Sequence, residues 1–443
     1  MTERSDEPRG TAVPSGRMAR LAQFGGMTTA IAGNVLVDGA KRAVRGESLN
    51  LEDLLLTPQN AGKVADQLAR LRGAAMKLGQ LISMDGGETI PPEFAEILAR
   101  LRSSADMMPA KQLRGVLDEA WGKGWRSRFA QFDVRPMAAA SIGQVHRALA
   151  KDGRELAIKI QYPGVKESID SDIDNVAALI KLSRLVPKGL NLTPLLDEAK
   201  VQLHQEADYV REARYLGRFR ALLEGSDDFV IPEPVPEFSG ERVLAMTLVR
   251  GQPIESLVDA PQAERDRVVS HLMNLVMREL FEFQLMQTDP NFANYFYQAS
   301  SGRIVLLDFG ATRDVPDAVT QGYRRLIRAG LDDDWDAVRE AALAMGLIGE
   351  GAASRHENVL ADLFSMAMEP IRYDGAYDFG GSDLALRMRE EGMKLKDNDF
   401  SHVPHPVMVF LHRKFGGTYL LATRLGARVN MRAMLEAHLT EAV

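Results

Sequence analysis

The apolar residues in the first quarter of the chain recur at helical spacing. Between residues 61 and 84 the steps from one apolar residue to the next alternate between four and three, as on one face of an amphipathic helix. These positions are Val64, Leu68, Leu71, Ala75, Leu78 and Ile82. Further helical stretches lie at 92–102, after a Pro-Pro break, and near 110–121. This part of the chain is therefore predicted to be helical, with no strands.

The pattern then changes to that of a small sheet. Residues 132–162 are predicted to form three short strands. Asp152-Gly153 is a hairpin turn signal between His146–Ala150 and Glu155–Gln161. The strand that carries Lys159 is the third in this order.

Helical periodicity returns after the hairpin. It runs from Val165 to about Val186, and a long helix is predicted over roughly 194–223. Residues 229–249 have strand character again, whereas the chain after Gly251 is predicted to be mostly helical, with a short β segment around 295–307. Strands grouped in one part of a chain and helices in another indicate an α+β fold.

These elements predict an α+β fold of two lobes with a helical N-terminal extension. Residues 1–17 have the composition of a disordered tail, and 18–125 are predicted to form the extension. A small sheet with helices is predicted to form an N-lobe over 126–250, and a helical C-lobe is predicted over 251–443. The change from sheet to helix near 250–253 predicts the hinge between the lobes.

Composition and charge narrow the function classes. The 443 residues are 45% hydrophobic and 26% charged, as in a soluble globular protein. The net charge of -7 argues against nucleic acid as the main partner, because a phosphate backbone requires clustered Lys and Arg. The chain has no cysteine, which excludes disulfides, thiolate metal sites and cysteine nucleophiles.

No stretch of the chain reads as a signal peptide or a spanning helix. We therefore expect a cytoplasmic protein, and a peripheral position at a membrane is left open. Segment 21–37 carries small residues four apart, a spacing that permits close helix packing. A surface helix that docks on the main body is the favoured interpretation, with membrane association or dimerisation as alternatives.

The segment A-A-A-S-I-G-Q-V has the spacing of the phosphate loop of kinases, G-x-G-x-x-G-x-V. Ala replaces the first two glycines, and small residues still let the backbone approach phosphates. The candidate nucleotide-binding residues are Ala138, Ala139, Ala140, Ser141, Gly143 and Val145. Taken alone, the segment also fits an ordinary Ala-rich hairpin.

A strand lysine follows this loop. Leu156-Ala-Ile-Lys159 matches the V-A-I-K strand of kinases, fourteen residues after Val145. Strand alternation puts Ala157 and Lys159 on one face and the larger apolar residues on the other. Lys159 is therefore a candidate to contact the α and β phosphates of ATP.

A candidate catalytic loop lies in the second half of the chain. In Q-T-D-P-N-F-A-N, Asn294 follows Asp289 by five residues, as in the kinase loop H-R-D-x-x-x-x-N, with Gln-Thr in place of His-Arg. Asp289 can orient or deprotonate a hydroxyl or water, and Asn294 can supply a neutral oxygen to a metal.

An apolar strand then ends in D-F-G. Its Asp308 comes nineteen residues after Asp289 and is the candidate Mg²⁺ ligand. The tripeptide is common on its own, but its order and spacing relative to the loop, the strand lysine and the catalytic Asp favour a kinase-type site.

A kinase lysine also needs a helix carboxylate as a partner. The predicted helix over 194–223 offers Glu206, Asp208 and Glu212. In the extension, Lys77 and Gln80 share one helix face and are candidates to contact this acidic helix.

These motifs together carry a family resemblance. The chain resembles the UbiB/ADCK (aarF-domain) atypical kinases over roughly 17–440, closest to the coenzyme Q biosynthesis branch. The matching segments are K-L-G-Q at 77–80, A-A-A-S-I-G-Q-V-H at 138–146, E-x-D at 206–208, Q-T-D-P-N-x-x-N at 287–294, D-F-G at 308–310 and F-L-H-R-K-F-G-G at 410–417.

The resemblance implies a two-lobed kinase-like fold whose extension covers the site for a protein substrate. It implies that Lys159 pairs with Glu212 and that Lys77 contacts Glu206 and Asp208, a regulatory group to which Gln80 belongs. It also implies ATP and Mg²⁺ as cofactors and a role in ubiquinone biosynthesis. As further partners it leaves open a quinone-precursor lipid, a membrane surface, quinone-biosynthesis proteins and a second copy of the chain.

Three functions remain in competition. The leading hypothesis is an ATP-dependent atypical kinase or ATPase that supports quinone biosynthesis. The alternative is a nucleotide-gated lipid-binding scaffold without turnover, since the extension occludes the site and Ala replaces Gly in the loop. A small-molecule phosphotransferase of the aminoglycoside-kinase type shares the Asp–Asn loop but needs neither the extension nor the Ala-rich loop.

Overall fold

The computed structural model of the protein describes residues 107–183, 193–349, 356–396 and 406–439. These residues belong to two compact units. Unit 1 takes the chain up to Gly217 together with Glu233–Leu248, and unit 2 takes Arg218–Pro232 together with the chain from Val249. Outside the described residues lie the predicted tail, the small-residue segment, two predicted extension helices and the K-L-G-Q motif, at 1–17, 21–37, 61–84, 92–102 and 77–80.

Unit 1 contains a five-stranded antiparallel sheet in the order β1–β3–β4–β6, with β2 pairing to the first residues of β3. Its described elements are α1 (Ala110–Trp121), β1 (Phe129–Phe132), β2 (Ala138–Ala140), β3 (Gly143–Ala150), β4 (Glu155–Gln161), α2 (Val165–Ser183), α3 (Thr193–Glu206), most of α4 (Tyr209–Leu222) and β6 (Val243–Thr247). Short 3₁₀ turns lie at Trp125–Arg128 and Pro236–Phe238.

The sheet differs in one respect from the prediction. Four strands precede residue 162, because β1 begins at Phe129, and Lys159 therefore lies on the fourth strand in chain order and not on the third. The predicted hairpin between β3 and β4 is confirmed. Its turn contains Gly153 at φ 90°, a conformation that glycine adopts without steric cost.

Strand alternation gives β4 its buried face. Leu156, Ile158 and Ile160 are each 0% exposed and join a core formed by α1, β1 and the sheet. The aromatic residues of α1, the following turn and β1 form a packed cluster, in which the rings of Trp125 and Phe132 lie 4.9 Å apart. Lys159 lies on the opposite face of β4, away from this core.

The predicted long helix over 194–223 is wrong in its middle. The segment forms two helices, α3 and α4, with Ala207 and Asp208 between them. Glu206 is the last residue of α3, so Glu206 and Asp208 do not share one helix. An Asp side chain favours an N-cap over a helix interior because it competes for backbone N–H groups, and this preference outweighed the continuous apolar pattern.

Unit 2 is mostly helical, with three small groups of strands. Its described strands are β5 (Phe229–Val230), β7 (Gln252–Pro253), β8 (Leu285–Gln287), β9 (Tyr295–Gln298), β10 (Arg303–Leu306), β11 (Thr312–Asp314), β12 (Tyr377–Asp378) and β13 (Arg428–Val429). Its described helices are α5 (Gln262–Phe281), α6 (Asp317–Leu331), α7 (Trp335–Ala344), α8 (Glu357–Arg372), α9 (Leu384–Lys396), α10 (Pro406–Leu425) and α11 (Met431–Leu439), with 3₁₀ turns at Ile254–Asp259 and Phe292–Asn294.

The strand pairings of unit 2 place its functional segments. One sheet has the order β5–β10–β9–β7, and separate pairs are formed by β8 with β11 and by β12 with β13. The predicted β segment around 295–307 is confirmed as the β9–β10 hairpin. The other strands of unit 2 were not predicted after residue 251, because segments of two or three residues are too short to show a period.

Candidate functional site

A buried ion pair joins β4 to α4 in unit 1. Lys159 is 9% exposed, and its Nζ donates to Oε1 and Oε2 of Glu212 at 2.7 and 2.9 Å. Glu212 is 1% exposed. Because both charges are out of water, each stabilises the ionised form of the other, and the lysine amine is held in one position.

The start of α4 sets the position of Glu212. The Asp208 side chain accepts a hydrogen bond from the backbone N–H of Arg211 at 2.9 Å, which makes Asp208 the N-cap of this helix. Tyr209, three residues before Glu212, lies on the same helix face, and its ring centroid is 5.2 Å from Lys159 Nζ. Tyr209 was not among the predicted site residues, although its i, i+3 spacing from Glu212 was a usable signal.

The Ala-rich segment forms a tight hairpin. Ala140 pairs with Gly143, and Ser141 and Ile142 form the two-residue turn between β2 and β3. Ile142 is 1% exposed, and its carbonyl accepts a hydrogen bond from the backbone of Tyr162 at 2.9 Å. The turn is therefore anchored on one side, while Ala138 and Ala139 are exposed.

Gly143 is required by the close approach of the neighbouring strand. A Cβ at this position would lie 2.3 Å from the backbone oxygen of Ile160 and 3.0 Å from the hydroxyl of Tyr209. Since β3 and β4 are hydrogen-bonded here, the backbone oxygen cannot move away without loss of pairing.

We expect Gly143→Ala to lower the free energy of unfolding of the full chain by about 2–3 kcal/mol, as overpacking in an ordered interior does. The matched control is Gly115→Ala on α1, where nothing lies within 4 Å of the added Cβ. This control is expected to stabilise the protein by up to about 1 kcal/mol. Urea unfolding of both variants measures the difference, and equal unfolding midpoints would contradict the packing argument.

Two other polar residues of this motif are structural. Gln144 accepts a hydrogen bond from the backbone N–H of Met108 at 2.9 Å, and its amide nitrogen lies 2.8 Å from Nε2 of His146. Nδ1 of His146 lies 2.8 Å from the backbone oxygen of Asp133. Burial lowers the pKa of His146, so its ring is neutral at pH 7 and links these groups as donor and acceptor.

The structure also joins the hairpin turn to the acidic residue that ends α3. The hydroxyl of Ser141 donates to Oε2 of Glu206 at 2.5 Å. Two predicted site residues that are 65 positions apart in sequence are therefore in contact. The predicted partners Lys77 and Gln80 lie outside the described residues, so their contacts with Glu206 and Asp208 stay predictions.

In unit 2 the catalytic-loop motif forms a compact turn. The side-chain nitrogen of Asn294 donates to Oδ2 of Asp289 at 3.0 Å. Asn294 is 9% exposed. Because its nitrogen faces Asp289, its amide oxygen remains an acceptor for another group.

The D-F-G segment lies beside this loop. Leu306 pairs with Tyr295 across the β9–β10 hairpin, and the backbone N–H of Leu307 donates to the carbonyl of Asn294 at 3.1 Å. Asp308 follows directly, and its Oδ1 accepts from the backbone N–H of Gly310 at 2.9 Å. The structure thus brings Asp289, Asn294 and Asp308 together at one end of the hairpin.

The donor set of these three residues fits Mg²⁺. Two carboxylates and an amide oxygen are hard ligands, and Mg²⁺ in nucleotide sites takes one or two carboxylates and completes its shell with water and phosphate oxygens. Within the described ranges there is no group of three or more His, Cys, Asp or Glu residues that forms a cage for a metal by itself. The chemistry therefore fits a metal that arrives with a phosphate ligand.

A buried polar cluster behind this loop was missed. Lys414, on α10, is 2% exposed and contacts Gln287, Tyr295 and Glu279. Its segment, F-L-H-R-K-F-G-G, carried family resemblance but no predicted contact. Lys414 is more than 100 residues away from each of these partners in sequence, so no local signal indicated that they meet.

Comparison with known proteins decides the family. The ABC1 atypical kinase-like domain matches residues 100–342, which is more than half of the chain. The chain belongs to the ABC1 atypical kinase-like family. The resemblance inferred from the motifs is thereby confirmed.

Members of this family match along almost the whole chain. The mitochondrial atypical kinase COQ8B of Danio rerio is 37% identical over 438 residues, which cover 98% of this chain and 70% of the relative. The mitochondrial atypical kinase COQ8 of Saccharomyces cerevisiae is 35% identical over 432 residues, which cover 97% of this chain and 86% of the relative. The chain is thus an atypical kinase, a phosphotransferase-class enzyme, and the scaffold alternative is not favoured.

A solved structure supports the fold. The structure of Rv3197 from Mycobacterium tuberculosis, solved with erythromycin, is 26% identical, has a TM-score of 0.58, and covers 85% of this chain and 95% of its own. The predicted α+β, protein-kinase-like fold is confirmed. Within the described ranges, no helix has the length and apolar character that a membrane span requires.

Proposed function

We propose that this chain is an ATP-dependent atypical kinase or ATPase that supports ubiquinone biosynthesis. The observation that carries the nucleotide assignment is the buried pair of Lys159 with Glu212. Protein kinases need such a lysine and carboxylate in register to hold the α and β phosphates. Membership of the atypical kinase family and the names of the COQ8 relatives support the assignment.

The proposed binding roles follow from the chemistry of each group. Lys159 supplies positive charge to the α and β phosphates, and Glu212 holds the amine in place. The hairpin turn at Ser141 supplies backbone N–H groups and small side chains to cover the phosphates. Asp308 and the amide oxygen of Asn294 would hold Mg²⁺, which supplies charge neutralisation for the phosphate oxygens when it is bound.

Asp289 is proposed as the residue that orients the attacking hydroxyl or water. Its Oδ2 is already oriented by the amide of Asn294, so the other carboxylate oxygen remains to accept a proton or a hydrogen bond. Loss of this carboxylate would affect turnover more than nucleotide binding.

We propose that Lys77, Gln80, Glu206 and Asp208 regulate the site. The support on the described side is the bond from Ser141 to Glu206, which ties the phosphate-loop turn to the acidic residue. A cation that moved toward Glu206 would change the strength of this bond and so the position of the turn. We also propose that the extension, 18–125, occludes a protein substrate.

The proposed pathway comes from the relatives, whose names place them among the COQ8 kinases and in mitochondria. For this chain we propose a cytoplasmic location that is peripheral at a membrane, where a quinone-precursor lipid is available. Lipid, quinone-biosynthesis proteins and a second copy of the chain are the proposed partners besides ATP.

One experiment tests the activity. The full chain is assayed for ATP hydrolysis with Mg²⁺, with and without liposomes or a phenolic quinone precursor. We expect measurable turnover and stimulation by one of these additions. Nucleotide binding without any turnover, with or without them, would instead support the nucleotide-gated scaffold.

A second experiment tests the pathway. Lipid extracts of a deletion strain are expected to lack ubiquinone and to accumulate a precursor. Re-expression of the wild-type chain serves as the control and should restore the quinone. A wild-type quinone profile in the deletion strain would refute the pathway and leave the fold and the nucleotide site unaffected.

A further inference from the structure

The buried Lys414 is hydrogen-bonded to residues at both ends of the catalytic loop. Nζ of Lys414 donates to Oε1 of Gln287 at 3.1 Å and to the hydroxyl of Tyr295 at 2.7 Å. Gln287 lies two residues before Asp289, and Tyr295 directly follows Asn294. The amine of Lys414 is therefore bonded to residues on both sides of the segment that carries Asp289 and Asn294.

A buried carboxylate near Lys414 balances its positive charge. Oε2 of Glu279, on α5, lies 3.8 Å from Nζ of Lys414. Burial raises the pKa of Glu279, and the nearby charge of Lys414 opposes this rise. Burial alone would lower the pKa of Lys414, but the negative charges of Glu279 and Asp289 and the bond to Tyr295 raise it above its ordinary value. Lys414 is thus protonated at pH 7, and its positive charge interacts with Asp289 in the catalytic loop.

The same helix face contacts the loop a second time. Gly417 lies three residues after Lys414 on α10 and therefore faces the same side. A Cβ on Gly417 would lie 2.1 Å from Cβ of Pro290, the residue after Asp289. By contrast, nothing lies within 4 Å of a Cβ built on Gly416.

The space around the amine is too small for a ligand. A cavity of about 10 Å³ lies among α5, α10 and the loop, with Pro290, Phe292 and Lys414 in its wall. Such a volume holds at most about one water molecule. The cluster is therefore an internal support and not a binding site.

We propose that Lys414 is a positioning residue for Asp289 and Asn294, with α10 as the template that sets the catalytic loop. This role also accounts for Gln287 at the position where protein kinases carry His, because a neutral amide oxygen accepts from the buried ammonium group. The proposal rests on the proposed function, in which Asp289 and Asn294 act on the nucleotide.

The test separates positioning from charge balance. Lys414→Met alone would leave Glu279 buried without its counter-ion, whereas the double variant Lys414→Met, Glu279→Gln removes both charges and keeps the volume. We expect this double variant to fold, with kcat for ATP hydrolysis lowered about 10- to 100-fold and KM for ATP within about threefold of wild type. Amide hydrogen exchange of residues 288–294 should become faster.

The kcat and the amide exchange of the double variant can each contradict the proposal. A wild-type kcat or unchanged exchange of residues 288–294 in the double variant would overturn it. The control Lys394→Met makes the same change at a side chain that is 59% exposed in unit 2, and it should keep wild-type kcat and exchange. The exchange result does not depend on activity, so it judges Lys414 even if Asp289→Asn shows that the proposed function is wrong.

A glycine pair gives a second test that leaves the lysine in place. Gly417→Ala must displace Pro290, and we expect kcat to fall at least about tenfold with faster exchange of the loop. Gly416→Ala adds the same methyl group one residue earlier and should keep wild-type kcat with equal or higher thermal stability. Equal kcat in the two variants would show that contact with α10 does not set the loop.

Discussion

Replacing Asp308 by Asn is expected to lower Mg²⁺-dependent ATP turnover by about 100-fold or more. A metal ligand of this kind contributes several kcal/mol of charge stabilisation, and each 1.36 kcal/mol corresponds to a factor of ten in rate. Asn keeps the size of the side chain and can still accept the bond from the N–H of Gly310, so the local turn should persist. Turnover and nucleotide affinity are measured across a range of Mg²⁺ concentrations.

The matched control for this change is Asp314→Asn on β11. The Asp314 side chain is 61% exposed and pairs with Arg218 at the surface of unit 2. Loss of such a pair changes stability by about 1 kcal/mol or less, so turnover should remain at the wild-type level. If Asp308→Asn also kept wild-type turnover and affinity, the assignment of Asp308 as metal ligand would be refuted.

Replacing Lys159 by Met is expected to lower the free energy of unfolding of unit 1 by about 3–5 kcal/mol, because a buried carboxylate loses its counter-ion. The Glu212 side chain is only 2% exposed, so water cannot replace the lysine. The double variant Lys159→Met, Glu212→Gln removes both charges and should recover at least about half of this loss. Both variants are expected to lose nucleotide binding, although the double variant recovers stability. The loss of binding is then not a consequence of the loss of stability.

Tryptophan fluorescence during urea unfolding measures this effect. Of the three tryptophans, Trp121 and Trp125 lie in unit 1, so a Trp335→Phe background restricts the signal to that unit. Lys200→Met is the control, since its partner Asp174 is 63% exposed, and its cost should stay below about 1 kcal/mol. A double variant that unfolds no later than Lys159→Met would argue against charge imbalance as the cause.

The sequence carried the local part of the site. Alternation along β4 was sufficient to place Leu156 in the core and Lys159 on the opposite face, because a strand has a strict period of two. The five-residue spacing from Asp289 to Asn294 likewise fits within one short turn. Such features depend on neighbouring residues alone, and they could be predicted without any knowledge of the packing.

The break between α3 and α4 was not predictable from apolar periodicity. The pattern continues through Asp208. The break is marked by the hydrogen bond that the backbone N–H of Arg211 donates to the Asp208 side chain, which caps the start of α4. Competition between a side chain and the helix for the same N–H groups is a matter of a few tenths to about 2 kcal/mol, which periodicity does not register.

What the sequence by itself determined is the family, the α+β kinase-like fold and the list of chemically competent residues, since these follow from motif order and local period. What only the tertiary structure decided is which of them meet. Ser141 was brought to Glu206, and Lys414 was brought under the loop of Asp289. Contacts between residues so distant in sequence form because burial of apolar faces brings their helices and strands together, and no local pattern encodes that packing.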